Sequence, residues 1–272
     1  MKKTAFAATL AALFTANVQA DTVGLYIGGQ IWQSEVSGVL GEENTLIDFN
    51  LKKEQQMSYF VAVEHPFPLL PNVRISSNML DTTGKTTLTQ EFSFGDKSFL
   101  TDTDINASFN VSYIDYTFYY QLLDNDLFSF DLGLTARNFN GAVTVTGTAE
   151  VVTTVVEEDN VDHVHLIDEI SSSVTTGKIK TDEIVPMLYV ATNISLPLSN
   201  LSVFAQGDFL LIDDHSIYDY QVGLSYLLVD NKMMDFNLNL GYRAMKMEFN
   251  DLENLSTDLE FKGAFVGVIA HF

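Results

Sequence analysis

The last ten residues, Gly263-Ala264-Phe265-Val266-Gly267-Val268-Ile269-Ala270-His271-Phe272, constrain the fold more than any other stretch. Counting back from Phe272 in steps of two gives Ala270, Val268, Val266 and Ala264, all apolar. The other parity carries His271, Gly267 and Gly263, with Ile269 and Phe265 breaking the contrast. Neighbouring side chains of a strand point to opposite faces, so this is a strand with one apolar face. Its length suits a tilted crossing of a bilayer as a strand and is too short for a crossing as a helix.

The rest of the chain offers no longer apolar run after the first twenty residues. The best windows are Phe60-Val61-Ala62-Val63 and Phe209-Leu210-Leu211-Ile212. No transmembrane helix is therefore expected. Residues 1–20 read as a cleaved signal peptide. Lys2 and Lys3 form a basic start, Ala5 to Ala16 is a small apolar run, and Val18-Gln19-Ala20 presents small residues where a signal peptidase cuts. There is no cysteine, so stability must come from closure or packing rather than disulfides. Net charge is −22, and losing Lys2 and Lys3 takes the remainder to −24. Such acidity argues against nucleic acid as a partner, because phosphate contacts need Lys and Arg. Abundant Gly, Phe and Tyr fit many tilted strands with aromatic girdles, although secreted β-sandwiches share that composition.

Period-two alternation recurs along the chain, with weak helical periodicity. It predicts ten strands: 22–36, 54–64, 73–83, 102–123, 127–145, 183–196, 201–212, 217–229, 235–249 and a closing strand. Counts of eight and twelve remain open if the longer strands are cut differently. The apolar parity of the fourth strand switches near Tyr113-Ile114, which predicts a β-bulge. Three of the five prolines fall in His65 to Asn72, a connection rather than a ladder. Residues 146–182 form the longest insertion and are expected to be a loop. Its β-prone flanks, Val143-Thr144-Val145-Thr146 and Val151 to Val156, leave open a projecting hairpin with 159–169 at its tip. Long and short connections alternate, as in barrels with short turns at one end and long loops at the other. The expected fold is all-β: a transmembrane antiparallel up-and-down β-barrel over 21–272, with a soluble periplasmic β-domain as runner-up.

Arginine placement sharpens this. Arg74, Arg137 and Arg243 are the three arginines, and each lies on the parity opposite its strand's apolar face. An arginine facing lipid near the midplane costs roughly 2–4 kcal/mol, so all three should face the lumen. The same parity places Glu64, Asp131, Asp208 and Asp219 inside, and Asp115 too if the bulge is present. Glu64 and Arg74 flank one connection and could pair. The lumen is thus read as filled by polar and charged side chains. Such a network either holds the barrel shut or lines a narrow path for small solutes or cations.

Signals for chemistry are sparse. His163 and His165 share a face if extended, but spacing fixes no third metal ligand, and no cofactor is indicated. Glu157-Glu158-Asp159 lacks the order of a calcium loop. Asp213-Asp214-His215 could activate water at a rim as a general base, yet it also reads as a turn rich in turn formers. No nucleophile elbow or phosphate loop is present. An enzyme is not expected.

The opening Gly24-Leu25-Tyr26-Ile27-Gly28-Gly29-Gln30-Ile31-Trp32 and the closing Gly267-Val268-Ile269-Ala270-His271-Phe272 resemble a family of small outer-membrane β-barrel proteins of Gram-negative bacteria. The family has no assigned activity. The resemblance implies that Phe272, Ala270, Val268 and Val266 form a barrel-insertion signal read by the barrel-assembly machinery. Ala270 stands where an aromatic residue is usual. It also implies an outer-membrane location, both termini periplasmic, a monomer, and contact with membrane lipid and lipopolysaccharide; apart from the resemblance, weak divalent binding at Glu157-Glu158-Asp159 could bridge that segment to lipopolysaccharide, and the role of 157–169 stays open. The expected role is structural or in surface interaction, with a passive channel and a rim hydrolase as alternatives.

Overall fold

The computed structural model describes residues 23–42, 45–158, 164–212, 215–231, 233–252 and 255–272. The expected signal peptide, His163, Asp213 and Asp214 lie outside these. Thirteen strands are present: β1 (Gly24–Glu42), β2 (Thr45–Ile47), β3 (Glu54–Glu64), β4 (Asn72–Thr87), β5 (Phe92–Phe94), β6 (Lys97–Phe99), β7 (Asp104–Asp124), β8 (Phe128–Glu158), β9 (Val164–Ser195), β10 (Leu201–Ile212), β11 (His215–Asn231), β12 (Met234–Leu252) and β13 (Leu255–His271). Ten of them, all but β2, β5 and β6, close into one antiparallel ring. Closure is made by β1 against β13, in register from Tyr26 opposite His271 to Trp32 opposite Phe265. Reciprocal backbone bonds between Leu25 and Phe272 finish the seam at 2.9 and 3.1 Å. Backbone N–H and C=O groups across this seam are thereby paired, and a ring leaves no sheet edge there.

The near end of the barrel carries Val23, Phe272 and the connections 65–71, 125–127 and 196–200. The far end carries the longer segments 45–53 and 88–103. Within 146–182, residues 146–158 and 164–182 continue β8 and β9 as the hairpin that the sequence left open beside a loop, paired residue by residue from Thr146 opposite Thr176 to Glu158 opposite Val164. Runs of Thr and Val favour the extended backbone, and each strand supplies the partner the other needs. β9 pairs with β10 only from Ser195 to Leu188, while β10 continues to Ile212 beside β11 alone. The ladder stops next to Pro186, which has no N–H to donate. Lys178 and Lys180 are exposed on the strand beyond, where charge discourages edge-to-edge pairing.

The expected bulge at Tyr113-Ile114 is absent. The β7 ladders with β4 and β8 run unbroken through that point, and the only β7–β8 register shift lies at Gln121/Leu123. Inward residues keep odd numbers throughout: Ile105, Phe109, Val111, Tyr113, Asp115, Thr117 and Tyr119 are all buried. What changes is the surroundings. Toward the near end the apolar residues Ile114, Tyr116, Phe118 and Tyr120 face outward and are exposed, while polar residues face inward. Toward the far end Ser108, Asn110 and Ser112 face outward and apolar residues fill the lumen. The inversion repeats on β13, where outward Val266 and Val268 give way to outward Asp258, Glu260 and Lys262 opposite buried Leu259 and Phe261. It repeats on β1, where inward Gln30 gives way to Trp32, Val36 and Leu40.

The lumen is therefore two-tiered, not polar throughout as expected. Its far half is an apolar core completed by segments tucked in from the far end: Phe49, Leu88, Phe92, Phe94 and Phe99 are almost fully buried. Each such phenylalanine contributes roughly 1.5–3 kcal/mol of burial. The β5–β6 hairpin that delivers three of them turns at Gly95 and Asp96, both with positive φ (58° and 59°). That pair of angles belongs to a type I′ turn, whose twist matches the flanking strands. The Gly95 N–H donates to a Glu42 carboxylate oxygen at 2.8 Å. Gly177 lets the hairpin approach, since a Cβ there would meet the Phe94 carbonyl oxygen at 2.0 Å. Gly177→Ala should push the hairpin off β9 and destabilise the barrel by about 1–3 kcal/mol, read as a lower urea midpoint and faster proteolysis within 88–103. An unchanged midpoint and cleavage rate would count against the hairpin being held this way.

Candidate functional site

Inward parity brings charged residues from five strands to one level at the middle of the lumen. Arg137 on β8 donates through Nε and Nη2 to both oxygens of Asp115 on β7, at 2.7 and 3.0 Å. Its Nη2 also reaches Asp219 on β11 at 3.0 Å and lies 3.9 Å from Asp208 on β10. Arg243 on β12 grips Asp219 with Nε and Nη2 at 2.9 and 2.7 Å. The same guanidinium donates to Asn78 on β4 at 3.2 Å and to the Tyr113 hydroxyl on β7 at 2.8 Å. Tyr113 in turn donates to Asp219 at 2.9 Å. Ser76 donates to Asp115 and Thr135 to Asp208. The Arg137 guanidinium lies 4.0 Å from the centre of the Tyr113 ring, and that of Arg243 5.1 Å from the Trp32 ring.

β12 stands across the lumen from β7 and β4 in the ring order, so the Arg243 bonds to Tyr113 and Asn78 are struts between opposite walls. Arg137 is fully buried, and Asp115, Asp219 and Arg243 are nearly so. Desolvating those charges is costly, and only the bidentate geometry and the extra donors offset it. Asp219 is the hinge of the set, because both guanidiniums share it.

The remaining candidates sit nearer the near end and do not join this level. Glu64 and Arg74 do not pair. Glu64 instead accepts from Tyr119 at 2.7 Å and from Gln121 at 3.2 Å. Arg74 lies over the Phe60 ring at 3.4 Å. Arg74 on β4 and Glu64 on β3 lie on neighbouring strands, with Arg74 opposite Ala62, but Glu64 reaches past β4 to Tyr119 and Gln121 on β7 while Arg74 turns to Phe60 on β3. Asp131 lines the same space, and its Oδ1 has no partner among the described residues. Asp115 faces inward without the bulge on which its expected inward placement depended. Sequence parity missed Tyr113, Asn78, Thr135 and Trp32, which share the level or border it. The signal was available: Tyr113 is two residues before Asp115 on the inward side.

Beneath the ion-paired level the near half of the lumen encloses a cavity of about 280 Å³, lined among others by Tyr26, Glu64, Arg74, Asp131, Tyr189 and Asn239. It faces a wider mouth at the near end, bordered by Glu64, His65, Asp124, Asp235 and His271. On the outer wall of the far half, charges pair along the strands. Lys53 holds Glu35 below the usual carboxylate range, and Lys85 with Thr87 does the same for Asp104. Glu248 and Asp258 raise Lys246. These groups are solvent-exposed and stabilise little.

Among the described residues no set of three or more His, Asp or Glu side chains is placed to hold a metal ion. His165 stands opposite Glu157 in the β8–β9 ladder. His215 pairs with Ile212 at the start of β11, beside the undescribed Asp213 and Asp214. On the final strand Val266 and Val268 face outward and Phe272 is partly exposed. Asp219→Asn should remove the shared charge and leave the buried Arg243 without a carboxylate partner, costing on the order of 3–5 kcal/mol. Urea unfolding of the detergent-folded barrel measures this, and a loss below 1 kcal/mol would show that the struts carry no weight.

No protein-family model matches the sequence, and no curated protein matches it. Among solved structures the chain is similar to the outer membrane protease OmpT from Escherichia coli, at 9% identity over 95% of this chain and 99% of that one, with a TM-score of 0.42. It is also similar to Ail, the attachment invasion locus protein of Yersinia pestis, at 9% identity over 92% and 99%, with a TM-score of 0.27. Neisserial surface protein A is similar at 9% identity over 90% and 95%, with a TM-score of 0.29. The closed barrel rests on the strand ladders of this chain itself.

Proposed function

We propose that this protein is a non-conducting outer-membrane barrel of a Gram-negative bacterium, with both termini periplasmic and a structural or surface-interaction role. The observation that carries the reading is the inversion of polarity along the wall. Around the near half the outward side chains are apolar and exposed: Ile31 on β1, Met57, Tyr59, Val61 and Val63 on β3, Val222 and Leu224 on β11, Leu240 and Tyr242 on β12. Ionic side chains at that height turn inward. On β7 this belt covers Ile114 to Leu122, about 27 Å along the strand and about 21 Å in height at a tilt of about 40°, near the apolar band of outer-membrane barrels.

The far half then stands outside the bilayer, with polar side chains on its exterior and its own apolar core within. A path through the lumen would have to pass the ion-paired level and then the packed phenylalanines. That double closure supports a sealed barrel over the passive-channel alternative. It leaves the outer surface for interaction, above all the hairpin of β8 and β9 that projects beyond the other strands. The acidic residues around its tip suit contact with lipopolysaccharide through bridging cations.

In planar bilayers the detergent-folded protein should insert, show heat-modifiable gel migration, and pass no steady current. Regular single-channel steps would contradict a sealed lumen, and failure to migrate as a folded barrel would contradict the membrane placement.

A further inference from the structure

We propose that the near-half cavity is a blind binding site for a compact organic ammonium ion entering from the near end. The first ground is a charge imbalance. At the ion-paired level Asp115, Asp208 and Asp219 face Arg137 and Arg243, one carboxylate more than guanidiniums. The cavity below adds Glu64 and Asp131 against Arg74, and Asp115, Asp208, Asp219 and Arg243 border it from above. The Arg74 guanidinium carbon lies over the Phe60 ring, 3.4 Å from its centre. Asp124 and Asp235 at the mouth add to the attraction for a cation.

The second ground is a surplus of acceptors. Asp131 Oδ1, Gln221 Oε1 and Asn239 Oδ1 are buried without a hydrogen-bond partner among the described residues, and all three residues line this cavity. Asn239 is 7% exposed, so it is held inside by the fold. A buried acceptor left without a donor costs about 1–3 kcal/mol. Three in one cavity call for a ligand that brings N–H groups.

The third ground is the wall. Tyr26, Phe60, Tyr119, Tyr189 and Phe204 border the space, and aromatic faces attract organic cations. Carboxylates spread around such a wall, with no three groups converging as metal ligands among the described residues, favour an organic cation over a metal ion. The volume of about 280 Å³ admits a small amine. The ion-paired level blocks onward passage, so the site binds rather than transports.

Isothermal titration of the full detergent-folded chain tests this at constant ionic strength, with putrescine as probe, 1,4-butanediol as its neutral isostere and magnesium chloride as competitor. Putrescine should bind saturably at one site per barrel, butanediol should not bind, and equimolar magnesium should not displace the amine. Asp131→Asn, isosteric and still heat-modifiable, should weaken binding at least tenfold. Asn239→Asp, which adds a carboxylate at the same place, should tighten it several-fold. Absence of saturable binding, affinity unchanged in a folded Asp131→Asn barrel, or displacement by equimolar magnesium would each overturn the proposal. Uptake by the acidic exterior alone would show as unsaturable binding indifferent to Asp131, and would overturn it equally.

Discussion

Everything in this molecule depends on the hydrogen-bonded seam between β1 and β13. Until those strands meet, the ten form a twisted sheet with β1 and β13 as its two open edges and no inside. Once Tyr26 faces His271 and Trp32 faces Phe265, the alternation of side chains becomes a division between lumen and exterior. The glycine-rich register at the seam serves that closure. At Gly263, on β13, a Cβ would meet the Gln33 carbonyl oxygen of β1 at 1.8 Å.

Closure also creates a space narrow enough for opposite walls to touch. Arg243 reaches Tyr113 and Asn78 across it, and Asp219 binds the two buried guanidiniums together. This polar level marks the border between the two tiers. Below it the exterior is apolar and the lumen is polar; above it both are reversed. One strand of constant pleat passes through both regimes without changing its parity, because only the medium around it changes.

That constancy explains what the sequence revealed and what it concealed. Strands 54–64 and 201–212 were legible to the residue, since each has a single regime over most of its length and ends at a turn. The inward direction of Arg74, Arg137 and Arg243 followed from parity alone. The same rule misled at Tyr113-Ile114, where a change of environment imitates a bulge. It left 146–182 open between loop and hairpin, where polar and β-branched residues outside a membrane look like a loop until their partner strand is known. Parity gives a direction, but not the distance to a partner across the lumen. Whether Glu64 and Arg74 pair was therefore open, and the contribution of Tyr113 was unseen. The apolar far half was hidden too, because Phe92, Phe94 and Phe99 come from a short hairpin with no amphipathic run of its own.

The two-tier wall is tested most directly by scanning β7 with single nitroxide labels, which the absence of native cysteine makes straightforward. In lipid vesicles, outward positions 114, 116, 118 and 120 should be accessible to oxygen dissolved in lipid. Outward positions 106, 108, 110 and 112 should be accessible to a water-soluble nickel chelate, with the exchange falling between 112 and 114. Lipid accessibility that continues to 106, or that moves to odd-numbered positions beyond 113, would contradict the account.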